Sequence, residues 1–175
     1  MKKLSIKRKD VIQTLGLLIG ILLVRVFLID NVRVEGQSMY PTLNMEKYND
    51  RVVVERYKHY TKNYKRGDVV ILKSHKTNND IFIKRVIGLP GETIEIKQGK
   101  VYINDNLLEE DYLSDNMNTN PQMKVVVPQG HLFVLGDNRV NSTDSRIIGT
   151  VSIDDILGKA SYRFNILHLD FEKLK

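Results

Sequence analysis

The sequence contains no cysteine, no internal repeat and no low-complexity segment. The lack of cysteine excludes disulfide bonds, thiolate zinc sites and every mechanism with a cysteine nucleophile, so any chemistry uses oxygen or nitrogen atoms. With 42% hydrophobic and 27% charged residues, the composition is that of an ordinary globular protein. A length of 175 residues predicts one compact domain and a short additional segment.

Excess charge is also scarce over most of the chain. The formal net charge is +6, but five basic residues and one acid lie within residues 1–10, so the remaining chain is nearly balanced. A surface that binds nucleic acid requires basic residues on the folded domain itself. The sequence therefore predicts no nucleic-acid partner.

One long apolar run follows this basic tail. Residues 11–29 contain only two strongly polar side chains, Gln13 and Arg25, and a helix needs about 20 apolar residues to cross a bilayer. Arg25 lies near the outer end, where its aliphatic stem can stay in hydrocarbon while the guanidinium reaches the interface. We therefore expect a single transmembrane helix over residues 11–30.

The flanking charges predict the orientation of this helix in the cell membrane. Basic residues cluster before it and are sparse after it, so the positive-inside rule places residues 1–10 in the cytoplasm and residues 31–175 outside. A cleavable signal peptide is an alternative, but no small-x-small cleavage pattern follows Leu28. A soluble core helix is a second alternative, but it needs a polar face, which residues 17–24 lack.

The pattern of residues 31–175 predicts a mostly β domain. Short runs rich in Val and Ile alternate with turn residues, and Gln98-Gly99 and Pro90-Gly91 suit a hairpin and a type II turn. Residues 114–122 predict a surface excursion or lid, and residues 152–157 one capped helical turn. The predicted strands are residues 32–35, 51–54, 69–72, 81–87, 93–97, 100–103, 125–127, 131–135 and 158–163.

Ser38 is the first candidate for chemistry. It follows a predicted strand, two residues after Gly36 and three before Pro41. A serine in such a tight turn can project into a cleft, although most serines of this kind are simple turn residues. The hypothesis therefore needs a second residue that activates the hydroxyl.

Lys84 is the candidate partner. On the apolar strand 81–87 it shares a face with Phe82 and Val86, two residues away on either side. Burial would disfavour the ammonium form and lower the pKa, so that the neutral amine accepts the proton of a serine hydroxyl. The alternative is a strand-edge lysine that reaches solvent, and the adjacent Arg85 is compatible with that reading.

A third segment crowds small hydroxyls and charged residues after an apolar strand. Residues 136–146 read GDNRVNSTDSR, which is typical of a loop that supports a site. Ser142 could hydrogen-bond the Lys84 amine, and an ion pair between Asp144 and Arg146 could brace the loop. A surface turn stabilised by Asn and Asp side chains is the alternative.

Taken in chain order, these segments and one further segment, residues 66–70, resemble the motifs of bacterial type I signal peptidase. That family is a membrane-bound serine protease that removes signal peptides from secreted proteins. Residues 38–43, 66–70, 84–92 and 136–146 resemble its nucleophile, structural, general-base and last boxes, and the match runs from about residue 32 to residue 163. The resemblance implies a signal-peptidase-like β catalytic domain behind the membrane helix. It also implies that Ser38 is the nucleophile, Lys84 the general base and Ser142 a residue that orients the lysine.

The same resemblance sets expectations for ligands. It implies no metal and no cofactor, and it implies preprotein substrates with small side chains at the first and third positions before the cut. Some members have a serine that binds the oxyanion where this chain has Gly36, so the backbone N–H of Ser38 is expected to serve, with a second donor unidentified. The four histidines do not suggest a triad or metal site: His59, His75, His131 and His168.

Two other functions remain open at this point. One is a Ser/Lys self-cleaving regulator of the repressor-cleaving type, although such regulators need a soluble DNA-binding part. The other is an anchored, non-catalytic extracytoplasmic β domain that binds a partner.

Overall fold

The computed structural model describes residues 7–27, 29–44, 50–78, 80–114, 117–165 and 170–174. Residues 1–6 of the predicted basic tail and His168 lie outside this part of the chain. Within it, one long helix precedes two β-sheets and a few short helices. The mostly β fold predicted from the sequence is confirmed.

Helix α1, Arg8–Phe27, occupies most of the run that is expected to cross the membrane. Its apolar side chains between Val11 and Leu22 are exposed and do not pack into the β domain. In the described residues, we find no helix that has both the length and the apolar character of a membrane span. Ile29 and Asp30, which the sequence placed in the helix, begin a strand instead, because Ile29 pairs with Glu55 directly after the helix.

The remaining elements are mostly short strands. In chain order they are β1 Ile29–Arg33, β2 Asp50–Glu55, α2 Tyr57–Thr61, β3 Val69–Ser74, β4 Asp80–Gly88, β5 Thr93–Lys97, β6 Lys100–Ile103, β7 Asn106–Leu107, β8 Met123–Val126, β9 His131–Leu135, α3 Ser145–Ile148, β10 Val151–Ser152, a 3-10 turn Ile153–Asp155, β11 Ile156–Asn165 and β12 Asp170–Lys173.

The larger sheet has the order β1-β2-β11-β3-β4-β9-β10, with β12 paired to β11, and the smaller sheet has the order β7-β6-β5-β8. The hairpin between β5 and β6 turns at Gln98 and Gly99, both with positive φ, as the Gln98-Gly99 pair predicts. Gly91 also has a positive φ of 84°, which fits the predicted turn at Pro90-Gly91.

Some local predictions differ from the structure. Only Ile153–Asp155 forms the helical turn expected over residues 152–157, capped by the Ser152 hydroxyl, and β11 begins immediately afterwards. The described part of residues 114–122 contains no strand, as expected. However, Thr119 is buried and accepts a hydrogen bond from Arg139. This part is therefore packed onto the domain and is not a free lid.

Strand β4 lies where three apolar clusters meet. Val86 belongs to one cluster, Ile83 packs against a second, and Ile87 belongs to a third, which includes the inner side of the smaller sheet. Both faces of this strand are therefore covered along its second half. Any charged side chain placed there is removed from water, which is the condition that the candidate site requires.

Candidate active site

Ser38 lies in the turn between β1 and β2. The next residue, Met39, and Leu43 are buried in the same apolar cluster as Val34, so the chain is anchored on both sides of the serine. The Asn44 side-chain amide also donates to the carbonyl oxygen of Gly36 at 2.8 Å. These contacts hold Ser38 at the rim of the sheet.

Lys84 lies on β4, where it pairs with Val70 of β3. Only 2% of the residue is exposed. Its Nζ donates hydrogen bonds to Ser38 Oγ at 2.7 Å and to the Ile83 carbonyl oxygen at 2.8 Å. The structure thus brings together the two residues that the sequence singled out, and the Lys84 side chain does not reach solvent, as it would in the strand-edge alternative.

The environment of Lys84 changes its acidity. Burial lowers the pKa of the amine from 10.5 to about 8, while the negative charges of Asp144 and Asp137 act in the opposite direction. The Phe82 ring lies 5.1 Å from Nζ and adds apolar cover. Because desolvation outweighs the two carboxylates, a substantial fraction of the amine is neutral at mildly alkaline pH.

The loop after β9 touches the serine turn directly. The Asn138 backbone N–H donates to the Ser38 carbonyl oxygen at 3.0 Å, and the Asn138 side-chain amide donates to the Gln37 carbonyl oxygen at 3.1 Å. A Cβ atom at Gly136 would collide with the Ser38 carbonyl oxygen and the Ser142 side chain. Glycine at this position therefore permits the close approach of the two segments.

Asp144 and Arg146 form the ion pair that the loop composition predicts. The guanidinium donates from Nε to Oδ1 at 2.8 Å and from Nη2 to Oδ2 at 2.7 Å. Asp144 also accepts from the Gly136 backbone N–H at 3.0 Å and caps α3. Although burial raises the pKa of this carboxyl, the hydrogen bonds from Arg146 and Gly136 outweigh burial and lower it. Asp144 is thus a charged brace inside the loop.

Ser142 does not make the hydrogen bond to Lys84 that the sequence suggested. Its Oγ is buried and has no hydrogen-bond partner of good geometry among the described residues. The hydroxyl lies near enough to Asp144 to favour the ionised carboxylate, but the two atoms do not form a well-aligned bond. The Nζ of Lys84 instead donates hydrogen bonds to Ser38 Oγ and to the Ile83 carbonyl oxygen.

Sequence reasoning missed a buried ion pair beside the site. Arg85, which is compatible in the sequence with a strand edge that reaches solvent, is only 1% exposed. It donates to Asp137 from Nε at 2.9 Å and from Nη2 at 2.7 Å. Arg85 follows Lys84 and Asp137 follows Gly136, and both pairs of residues lie in motifs noted in the sequence. Their position in those motifs was the only available sign that Arg85 and Asp137 meet.

A second buried pair, also missed, joins the loop to the region before β8. Arg139 donates to Glu110 and, at 2.6 Å, to the Thr119 hydroxyl. The Arg85 guanidinium stacks on the Tyr112 ring at 3.9 Å. No local pattern relates these residues, because each contact joins segments that are distant in the chain.

The serine and lysine open into a cleft of about 260 Å³. Its walls are mainly aliphatic and come from β1, the residue after it, β2, β3 and β4: Val32, Val34, Val52, Ile71, Ile81 and Ile83. Such a cleft suits an extended peptide with small side chains. The histidines of the described chain lie apart from it, and the described residues contain no cluster of His, Asp or Glu that could hold a metal ion.

The comparisons with known proteins agree with this geometry. The family model described as signal peptidase, peptidase S26, matches residues 8–165. Signal peptidase I U of Bacillus subtilis (strain 168) is 36% identical over 93% of this chain and 93% of its own length, and signal peptidase I T of the same organism is 40% identical over 82% and 77%. The crystal structure of a signal peptidase I from Enterococcus faecalis V583 superposes with a TM-score of 0.51 and has 36% sequence identity. The match covers 57% of this chain and 97% of the Enterococcus chain.

These matches confirm the resemblance noted in the sequence motifs. The family model spans most of the chain and includes Ser38 and Lys84. The chain therefore belongs to the signal peptidase family, peptidase S26, and is a serine endopeptidase of the Ser/Lys type.

Proposed function

We propose that this protein removes signal peptides from exported preproteins, with Ser38 as the nucleophile and Lys84 as the general base. The proposal rests on one observation: a desolvated amine whose Nζ lies 2.7 Å from Ser38 Oγ. When the amine is neutral, this same contact allows the hydroxyl to donate its proton to Nζ. The names of the relatives supply the substrate class, because they are signal peptidases.

The reaction then proceeds in two halves. Lys84 takes the proton of Ser38 as Oγ bonds to the scissile carbonyl carbon, and the ammonium returns that proton to the leaving amine as the C–N bond breaks. An ester between Ser38 and the signal peptide remains. Neutral Lys84 next takes a proton from water, the hydroxide attacks the ester, and Oγ recovers a proton from the ammonium.

The developing oxyanion needs hydrogen-bond donors. We assign one to the Ser38 backbone N–H, which donates to no acceptor among the described residues. Gly36, with a φ of 76°, supplies no side-chain hydroxyl at the position where some family members have a serine. Backbone donors fixed in place lower the cost of charge development because they need no reorientation.

Ser142, Asp144 and Arg146 are assigned supporting roles. Asp144 and Arg146 hold the loop, and Ser142 Oγ lies buried beside Gly136, in the loop that contacts Ser38. We expect Ser142 to orient the Lys84 amine when substrate displaces the present hydrogen bonds. Ser142→Ala should lower kcat and shift the pH profile, whereas Ser152→Ala, at the half-exposed cap of the 3-10 turn, should alter neither.

The catalytic assignment is tested with full-length protein in detergent and one labelled preprotein. Ser38→Ala and Lys84→Ala should each abolish cleavage while the thermal unfolding profile still shows a folded domain. Lys100→Ala, on the exposed face of β6, is the matched control and should keep wild-type activity. Substantial cleavage by either active-site variant would refute the dyad.

We further propose that the helical residues 11–27 anchor the protein in the cell membrane, with residues 1–10 in the cytoplasm and the β domain outside. The exposed apolar side chains of α1 and the basic residues before it support this arrangement. The lipid bilayer would then bring enzyme and membrane-bound preprotein onto one surface. Protease added outside spheroplasts should digest or release the β domain; full protection of the domain would overturn the orientation.

A further inference from the structure

A second chamber continues from the cleft that contains Ser38 and Lys84. It has a volume of about 370 Å³, compared with about 260 Å³ for the cleft around the serine. Val32, Ile71 and Ile81 line both spaces, so the two are neighbours along one groove. We call the second space the distal chamber; neither the serine nor the lysine lines it.

The groove has the geometry that an extended peptide requires. One wall is formed by Asp30 and Val32 of β1 and by Val34 just after it, which alternate along the chain. The other wall is β4 with Ile83 and Ile81. Side chains of an extended peptide face the same way at every second residue, and four residues span about 13 Å. If the first and third residues before the cut occupy the space near Ser38, the fifth is the next residue on the same face and falls at the distal chamber.

Both walls also offer backbone groups to an added strand. β1 pairs with β2 on one side only and forms the edge of the larger sheet. The first half of β4 pairs with β3, whereas its pairing with β9 begins at Arg85. Residues 80–84 therefore have one edge that no described strand occupies. A peptide lying between these edges could hydrogen-bond to either of them.

The surfaces of the distal chamber favour a bulky apolar side chain. Val54 and Ile71 form a buried aliphatic floor, and Leu157 and Ile81 are exposed walls. The two charged residues in its lining have opposite signs, and Arg56 lies 3.7 Å from Asp30 in a half-exposed ion pair. The ring of His59 also has a partner, because its Nδ1 lies 2.6 Å from the Ile156 carbonyl oxygen. The chamber thus presents apolar area together with a balanced pair of charges, which gives no net attraction for an anionic headgroup.

The direction of the substrate follows from the position of Asp30. This residue lies close behind α1, so the distal chamber is at the end of the groove nearest the proposed membrane anchor. The apolar segment of a signal peptide lies in the bilayer, upstream of the cut. The residues before the cut therefore enter from this end, and those after it leave beyond Ser38.

We propose that the distal chamber is a specificity site for the fifth residue before the scissile bond and prefers a bulky apolar side chain there. The proposal rests on the proposed function of Ser38 and Lys84. It assigns a specificity role to Leu157 and Tyr60, which line the distal chamber and not the cleft around the serine.

The test uses full-length protein in detergent and a series of preproteins that differ only at the fifth residue before the cut. The first and third residues remain alanine throughout. Leucine should give a kcat/KM about tenfold higher than alanine or aspartate, the size expected for a partly open apolar pocket. Equal kcat/KM values across the series would overturn the proposal, while continued cleavage of all substrates would leave the Ser38/Lys84 assignment intact.

Substitutions at Leu157 test whether the distal chamber produces this preference. Leu157→Trp should fill the chamber and remove the leucine-to-alanine preference, whereas Leu157→Ala should enlarge it and shift the preference towards tryptophan. Leu107→Trp, at an exposed position on β7, is the matched control and should keep the wild-type ratio. Each preference is a ratio within one variant, so a general loss of activity cancels. An unchanged ratio in both Leu157 variants would overturn the proposal, as would an effect that depends only on added anionic vesicles.

Discussion

Arg85 and Asp137 form a two-point ion pair in which neither side chain is more than 1% exposed. The pair joins β4, directly after Lys84, to the loop directly after β9. Thr42 also donates to Asp137, and Arg85 donates to the Gly67 carbonyl oxygen at 2.9 Å. The strand that carries the proposed base and the turn that carries the proposed nucleophile therefore both hydrogen-bond to the Asp137 carboxylate.

Asp137→Asn should destabilise the protein strongly. The substitution leaves the Arg85 guanidinium buried without its counter-charge, and breaking such a pair costs about 3 to 5 kcal/mol in the free energy of unfolding. Urea unfolding followed by circular dichroism measures this cost. Asp154→Asn, which breaks an exposed pair with Lys62, is the control and should change little.

A double variant separates the ion pair from simple loss of packing. Replacing both partners with apolar residues, Arg85→Met with Asp137→Leu, removes the uncompensated charge, so this variant should be more stable than Asp137→Asn alone. If the double variant is the less stable of the two, the buried charge is not the source of the cost.

Activity should rise with pH through the titration of Lys84. The pKa of the amine is lowered to about 8, and only the neutral form accepts the serine proton. Single-turnover kcat/KM with one preprotein should therefore increase about tenfold per pH unit below pH 8 and level off above it. Single-turnover conditions report acylation, so a flat profile between pH 6 and pH 9 would contradict the assignment of Lys84 as the base.

Gly136→Ala should disturb the alignment of the serine with the lysine. The added Cβ would meet the Ser142 side chain and the Ser38 carbonyl oxygen, both closer than van der Waals contact allows. A displacement of about 1 Å at a catalytic group can cost roughly 100-fold in rate, so kcat should fall by that order. Gly20→Ala, where an added Cβ meets nothing within 4 Å, is the control and should retain activity.

The sequence predicted the Ser38 and Lys84 pair because both lie in local motifs, and it predicted the β5–β6 hairpin because its turn residues are adjacent. It did not predict the burial of Arg85, because the second half of β4 is covered on both faces only when the smaller sheet packs against it. The Arg139 contacts with Glu110 and Thr119 span 29 and 20 residues, so no periodicity relates them. Helices of four or five residues, α2 and α3, are too short to produce an amphipathic pattern.

Lys84→Met should stabilise the folded protein while abolishing activity. In the unfolded chain the amine has a pKa of 10.5, whereas in the folded chain its pKa is about 8. Between these pH values the unfolded state binds more protons, so the free energy of unfolding of the wild-type protein rises with pH. Below pH 8 the amine is charged in both states, and burial of the ammonium costs about 3 kcal/mol.

Methionine fills similar space without a charge, so at pH 6 the variant should gain up to about 3 kcal/mol in the free energy of unfolding. Its stability should also lose the rise between pH 8 and pH 10.5 that the wild-type protein shows. Urea unfolding at several pH values measures both effects, with Lys100→Met as the control at an exposed site. A variant that is no more stable than the wild-type protein at pH 6 would mean that the Lys84 ammonium is solvated in the folded state. The amine would then lack the lowered pKa that the proposed mechanism requires.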